Sequence, residues 1–268
     1  VSSTNLTTEN EFIRAINSEI AQEPNGLRQG AVFVHGFNTN YAEGVIRMVA
    51  LAEDTGRAGV KVAYSWASAA SVLKYLDDRE SALFARDGFE DTLVAMSKSR
   101  LSDYVIVSHS MGTFVVMDTL RELAEKNATA TLGKINAVIL ISADLDIDVF
   151  RKQAPPVLAA GVPIVLLTTD DDLALSISAK MRGQGDRVGD IRNPSELGGL
   201  EIPVFDFSNV QAGGTLKHFK IGSSPEVLDF LKTLNQSGAG LFTGAVAGQV
   251  VNVGGATITG ATGIILSQ

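Results

Sequence analysis

The chain contains no cysteine, and that absence removes disulfide staples, thiolate zinc sites and thiol nucleophiles together. A basic cluster is also missing. Lys and Arg number 22 against 30 Asp and Glu, a formal charge of −8, and such an acidic balance is a poor match for nucleic acid or an anionic lipid surface. No G-x-G-x-x-G stands at a strand–helix joint and no G-K-[ST] occurs, so nothing prepares a cradle for a nucleotide phosphate. Histidine is scarce, with three copies. Internal repeats are absent, as is any Pro-, Gly- or Ser-rich linker that would split the chain into two folding units. What remains is an ordinary globular composition, 45% hydrophobic and 19% charged over 268 residues. One α/β domain can absorb that length, and it buries about three quarters of its unfolded surface without help from a metal or a cross-link.

Short β-branched runs alternate with longer amphipathic stretches, the pattern of a mostly parallel sheet wrapped by helices. The strand candidates are Ala31–His35, Val60–Tyr64, Asp103–Ser108, Ile135–Ser142, Val162–Leu167 and Glu201–Asp206. Helices are expected at 10–22, 41–54, 78–98, 112–126 and 224–234, where apolar side chains recur every three or four positions, as in Phe114, Met117, Leu120 and Leu123. After Lys232 no charged side chain appears through Gln268, and glycine recurs throughout that stretch. A membrane-spanning helix needs about 20 predominantly apolar residues, but Gln249, Asn252 and Gly254-Gly255 interrupt this run. Residues 1–236 are therefore expected to form the domain. Residues 237–268 would be an uncharged Gly-rich apolar tail that packs on the domain, on a second copy or against a membrane surface. The chain starts at Val1 with a polar segment, so a processed or truncated N-terminus is expected, and an exported protein is favoured over a cytoplasmic one.

The sharpest signal is Ser108-His109-Ser110-Met111-Gly112, which ends a strand and opens a helix. A nucleophilic serine on such a corner needs small neighbours two residues before and two after, so that the backbones can approach. Ser108 and Gly112 meet that need. The competing reading is a helix-capping serine without chemistry. A hydroxyl is a weak nucleophile, so it needs a base and a carboxylate to orient the base. His35 precedes Ser110 and His109 adjoins it, which leaves His218, after the last strand, as the base in the chain order Ser, acid, His. The acid could be Asp170, Asp171 or Asp172, with Asp144 one strand earlier as a competitor. Asp144, Asp146 and Asp148 resemble the opening of a calcium loop, but Val149 and Pro155 stand where a Gly and a bidentate Glu are required. No metal site is expected. The tight turn His35-Gly36-Phe37-Asn38 could bring the Phe37 N–H to meet that of Met111 across a substrate carbonyl, as an oxyanion hole.

Several segments together carry a resemblance: Phe33-Val-His-Gly-Phe-Asn38, Tyr64-Ser-Trp66, Tyr75-x-x-Asp78-Arg79-Glu80-Ser81, Ser108-His-Ser-Met-Gly112, Asp172-x-Ala-Leu175 and His218. Over about residues 30–232 the chain resembles a bacterial family of α/β-hydrolase-fold proteins catalogued as of unknown function. The resemblance implies a mostly parallel central sheet with helices on both faces; the few residues ahead of the first clear strand leave room only for a shortened N-terminal hairpin or none. It implies Ser110 as nucleophile, His218 as base and Asp172 as acid, and it places the Tyr75–Ser81 stretch near the pocket. His35, Asn38, Trp66, Tyr75, Arg79 and His109 are the pocket candidates. The expected activity is that of a serine hydrolase, a carboxylesterase or lipase-like enzyme that cleaves a small acyl ester through an acyl-enzyme and needs no cofactor. A thioesterase or acyltransferase would use the same parts, and a non-catalytic hydrolase-fold protein that binds through its tail is the rival from another class.

Overall fold

The computed structural model describes residues 8–23, 26–54, 59–168 and 186–208, and the backbone of three short strands at 250–252, 256–259 and 263–266. All six anticipated strands form: β1 (Gln29–Val34), β2 (Val60–Tyr64), β3 (Asp103–His109), β4 (Ile135–Ile141), β5 (Ile164–Thr168) and β6 (Val204–Asp206). They lie side by side in the order β2-β1-β3-β4-β5-β6, and every neighbouring pair is parallel. β7 (Val250–Asn252) extends this sheet as a seventh parallel strand beside β6, while β8 (Ala256–Thr259) and β9 (Gly263–Leu266) pair antiparallel with each other. The Gly-rich tail thus contributes a strand to the central sheet. Among the described residues no strand precedes β1; helix α1 (Glu9–Gln22) stands there, opened by a capping box between Thr8 and Glu11.

The strands read as continuous apolar runs because both faces of the sheet are covered. Val32, Val34, Ile106, Val138, Leu140, Leu166 and Val204 are all essentially inaccessible. Helix α2 (Tyr41–Asp54) joins β1 to β2 and packs on those two strands. Helices α4 (Arg86–Lys98) and α7 (Ile147–Ala159) each pack on α5 (Gly112–Glu125). Because β1→β2 and β3→β4 run in opposite directions across the sheet, right-handed crossovers put α2 on one face and the α5 group on the other.

Two helical expectations change in detail. The single helix expected at 78–98 begins earlier and divides into α3 (Tyr75–Phe84) and α4. At the joint, the Tyr64 hydroxyl donates to the Ala85 carbonyl and Arg86 Nε to that of Leu83, and the Ala85 carbonyl also accepts from the Phe89 N–H. Helix α7 had no counterpart in the sequence reading, since Pro155 and Pro156 sit inside it and a Pro pair ordinarily ends a helix. Here Asp146 caps its N-terminus through the Asp148 and Val149 amides, while Phe150, Ala154 and Val157 are fully buried. A short helix, α6 (Thr129–Leu132), completes the described set. The helix expected at 224–234 lies outside the described residues. Among those described, no helix is long and apolar enough to cross a membrane.

Candidate active site

A parallel sheet presents all its strand ends on one edge, and ligands bind where the chain turns away in opposite directions from adjacent strands. That point lies between β1 and β3. Val34 pairs in register with Ser108, and His109 with Ile141, so the residues just beyond (Gly36, Ser110 and Ser142) come together on that edge. Three non-glycine residues here hold a left-handed backbone: Asn38 at φ 53°, Ser110 at φ 50° and Ser142 at φ 45°. Each such residue costs of order 1–3 kcal/mol, and clusters of them are typical of functional edges.

Ser110 occupies the corner between β3 and α5. Its N–H donates to the Ile141 carbonyl at 2.9 Å, and its own carbonyl accepts from Thr113 N at 3.1 Å and Asp144 N at 3.2 Å. The backbone is thereby tied to β4 on one side and to the helix on the other. The side chain is not tied. Ser110 Oγ is buried and has no hydrogen-bond partner among the described residues. It caps nothing, because the capping position of α5 is Met111, without a side-chain bond.

Two glycines let the neighbouring turn close on this corner. A Cβ on Gly36 would stand 2.8 Å from Ser110 Cβ and from the His109 carbonyl oxygen, and one on Gly112 would stand 2.5 Å from the His35 carbonyl oxygen. No side chain fits at either place. The β1 turn and the serine corner are therefore in backbone contact, with Phe37 following Gly36 and Met111 following Ser110. Neither the Phe37 nor the Met111 N–H donates to a backbone carbonyl among the described turns and loops.

His35, 1% exposed, lies beneath the turn rather than open to a pocket. Its Nε2 accepts from the Trp66 N–H at 3.2 Å, which makes Nδ1 the protonated nitrogen, 2.9 Å from the Gly36 carbonyl it donates to. Burial lowers its pKa from the ordinary value, the main cause, outweighing the opposing backbone bonds. Trp66 stacks on it, with ring centroids 5.0 Å apart, and donates its indole N–H to the His35 carbonyl at 2.7 Å. Both are scaffold for the turn. His109 is buried against Gly36.

Helix α3 reaches the same edge. Tyr75 is fully buried and donates its hydroxyl to Asp144 Oδ2 at 2.6 Å. Arg79 lies over the Phe114 ring, 5.8 Å from its centroid, and a narrow cavity there is lined by Arg79, Met111, Phe114, Asp144, Leu145 and Arg187. Asn38, exposed, donates its N–H to Asp78 at 3.4 Å. The three aspartates that resembled a calcium loop go to separate tasks. Asp144 meets Tyr75 and stands 3.5 Å from Arg187 Nε, Asp146 caps α7, and Asp148 pairs with Arg151. Arg187 and the clasp made by Asp78 went unrecognised in the sequence. Arg187 is far from Asp144 along the chain and carries no spacing signal, whereas Asp78 stands within the Tyr75–Ser81 stretch that the resemblance places near the pocket, with nothing in the sequence to name its partners. His218, Asp170, Asp171 and Asp172 lie outside the described residues.

No curated protein matches the chain. Among solved structures, Est1E from Butyrivibrio proteoclasticus is 14% identical, with 80% of this chain and 90% of that one covered and a TM-score of 0.43. An esterase from Pyrobaculum calidifontis is 12% identical, with 78% and 77% covered and a TM-score of 0.40. Likenesses this distant say nothing of substrate. The family comparison reaches further, since one family model, described as alpha/beta hydrolase of unknown function (DUF900), matches residues 8–236. With its parallel sheet, its serine corner and that match over most of its length, the chain belongs to this α/β-hydrolase family.

Proposed function

We propose that the protein is a serine hydrolase that cleaves a small carboxylic ester through an acyl-enzyme. The observation that carries this reading is Ser110, held at a left-handed φ on the strand–helix corner with a buried hydroxyl that bonds to no described group. Evolution retains strain and an orphan hydroxyl in one residue where chemistry needs both. In this reading Ser110 Oγ attacks the ester carbonyl and His218 accepts its proton. The Phe37 and Met111 amides take the charge that develops on the carbonyl oxygen. His218 then returns the proton to the leaving alcohol, and water releases the acid by the same route in reverse.

Asp172 is assigned to orient His218, on its place in the Asp-x-Ala-Leu pattern. The engagement of Asp144 by Tyr75 and Arg187 supports that choice over the earlier aspartate. Thioester cleavage and acyl transfer would use the same groups, and the ester is proposed as the simplest substrate of such a site. The residual tail, 237–268, is proposed to influence association rather than chemistry. Turnover of p-nitrophenyl butyrate tests the reading. Ser110→Ala and His218→Ala should each lower kcat by about 10⁴–10⁶-fold, and the double variant should be no worse than either, because the pair acts as a unit. Full turnover by Ser110→Ala would end the proposal.

A further inference from the structure

We infer that Asp78, on α3, is a positioning residue for the oxyanion hole, and this rests on the serine-hydrolase reading above. Its carboxylate is fully buried, yet among the described residues no Lys or Arg pairs with it. A buried carboxylate is costly unless its oxygens are taken by donors. Here the donors come from two loops. Oδ1 accepts from Ala69 N at 2.6 Å, and Oδ2 from Ser68 Oγ at 2.6 Å and from Asn38 N at 3.4 Å. Ser68 Oγ passes the hold on, accepting from Thr39 N at 3.3 Å. Asp78 thus grips, directly and through Ser68, the two amides that follow Phe37.

The consequence for Phe37 follows from peptide planarity, since fixing one end of an amide aims the other. In the peptide before Phe37, the Gly36 carbonyl is held by His35 Nδ1, so the Phe37 N–H must point the opposite way. In the peptide after it, the Phe37 carbonyl accepts from Thr39 Oγ1 at 3.2 Å, and the opposite end, the Asn38 N–H, meets Asp78. Asn38 stands at φ 53°, a conformation that persists only where surrounding contacts over-determine it. Asp78 supplies the contact that only an acceptor with two charged oxygens can supply. Without it the turn relaxes and the Phe37 N–H loses its aim at the oxygen above Ser110.

Loss of a whole oxyanion donor costs about 10²–10³ in kcat, and a donor that is misaligned but still present should cost about 10–100-fold. The test compares wild type, Asp78→Asn and Ser68→Ala in the full chain, well below their melting temperatures. Asp78→Asn keeps the size but turns an amide NH₂ toward donors, and Ser68→Ala removes only the relay. Three quantities are read: kcat, KM on p-nitrophenyl butyrate, and the second-order rate at which a fluorophosphonate modifies Ser110. For Asp78→Asn the expected result is a kcat lower by about 10–100-fold with KM within about twofold. The fluorophosphonate rate should fall in parallel, because phosphonylation also builds charge on an oxygen in the hole. Ser68→Ala should fall less, in the same direction. A folded Asp78→Asn with unchanged kcat, or with its loss carried by KM, overturns the inference. Should Asp78→Asn fail to fold, Ser68→Ala decides alone, and an unchanged kcat there overturns it. A wild type that neither turns over ester nor reacts at Ser110 refutes the functional reading itself, which is distinguishable from reactive variants of a reactive wild type.

Discussion

Replacing Ser110 with glycine should destroy the proposed activity and make the protein more stable. Ser110 sits at φ 50° with a buried hydroxyl that bonds to none of the described residues. A left-handed backbone costs an L-residue about 1–2 kcal/mol, and an unsatisfied buried hydroxyl about 1–3 kcal/mol. Glycine removes both but adds about 0.5–1 kcal/mol of unfolded-state entropy, so the net gain is about 1–4 kcal/mol. Ser110→Ala keeps the strain and removes only the hydroxyl, and it should fall between wild type and Ser110→Gly. Urea denaturation with a common m-value would measure the order, and each kcal/mol should also raise Tm by about 2–4 °C in a domain this size. If Ser110→Gly proved no more stable than wild type, the corner would hold neither strain nor an orphan group. The argument that ties those features to catalysis would then fail.

Other consequences can be measured separately. Because burial lowers the His35 pKa, the unfolded chain takes up a proton that the folded one refuses, so the stability linked to His35 is full above about pH 6.5 and is lost as pH falls from there toward the lowered folded value. His35→Gln should be destabilised at pH 8 by urea titration, with the gap to wild type narrowing toward pH 5; a constant gap would contradict the assignment. Among Asp144→Asn, Asp170→Asn, Asp171→Asn and Asp172→Asn, the last should lose about 10⁴-fold in kcat. A crippled Asp144→Asn beside an active Asp172→Asn would move the acid one strand earlier. Truncation after Gln236 removes β7 and bares the β6 edge. It should leave turnover of a small soluble ester near the full-length rate per folded molecule while lowering Tm and increasing association by light scattering, whereas a folded but inactive truncation would place the tail in the site.

The strands were legible because a sheet buried on both faces writes itself as β-branched runs, and Ile135–Ile141 admits few other readings. The serine corner was legible for a different reason. Gly112 and Gly36 mark where backbones touch, and the structure gives each a contact that no side chain could survive. Local rules failed where tertiary contacts outvoted them. Buried Phe150 and Val157 keep α7 helical through Pro155 and Pro156, and Tyr64 ties the α3–α4 joint to β2 from far along the chain. The tail hid β7 because Val250–Asn252 is only three residues long and set among glycines, too short a β-branched run to read as a strand. Asp78 was in plain view, but its partners Asn38 and Ser68 lie on other loops, and only folding brings three donors to one carboxylate.

Covalent capture of the nucleophile tests the central claim most directly. Full-length wild type and Ser110→Ala would be treated with a fluorophosphonate, weighed intact, and digested to locate the modified residue. The account predicts one adduct per wild-type chain, on the peptide that contains Ser110, and none on Ser110→Ala. Equal modification of both proteins, or an adduct on a different serine, would contradict it.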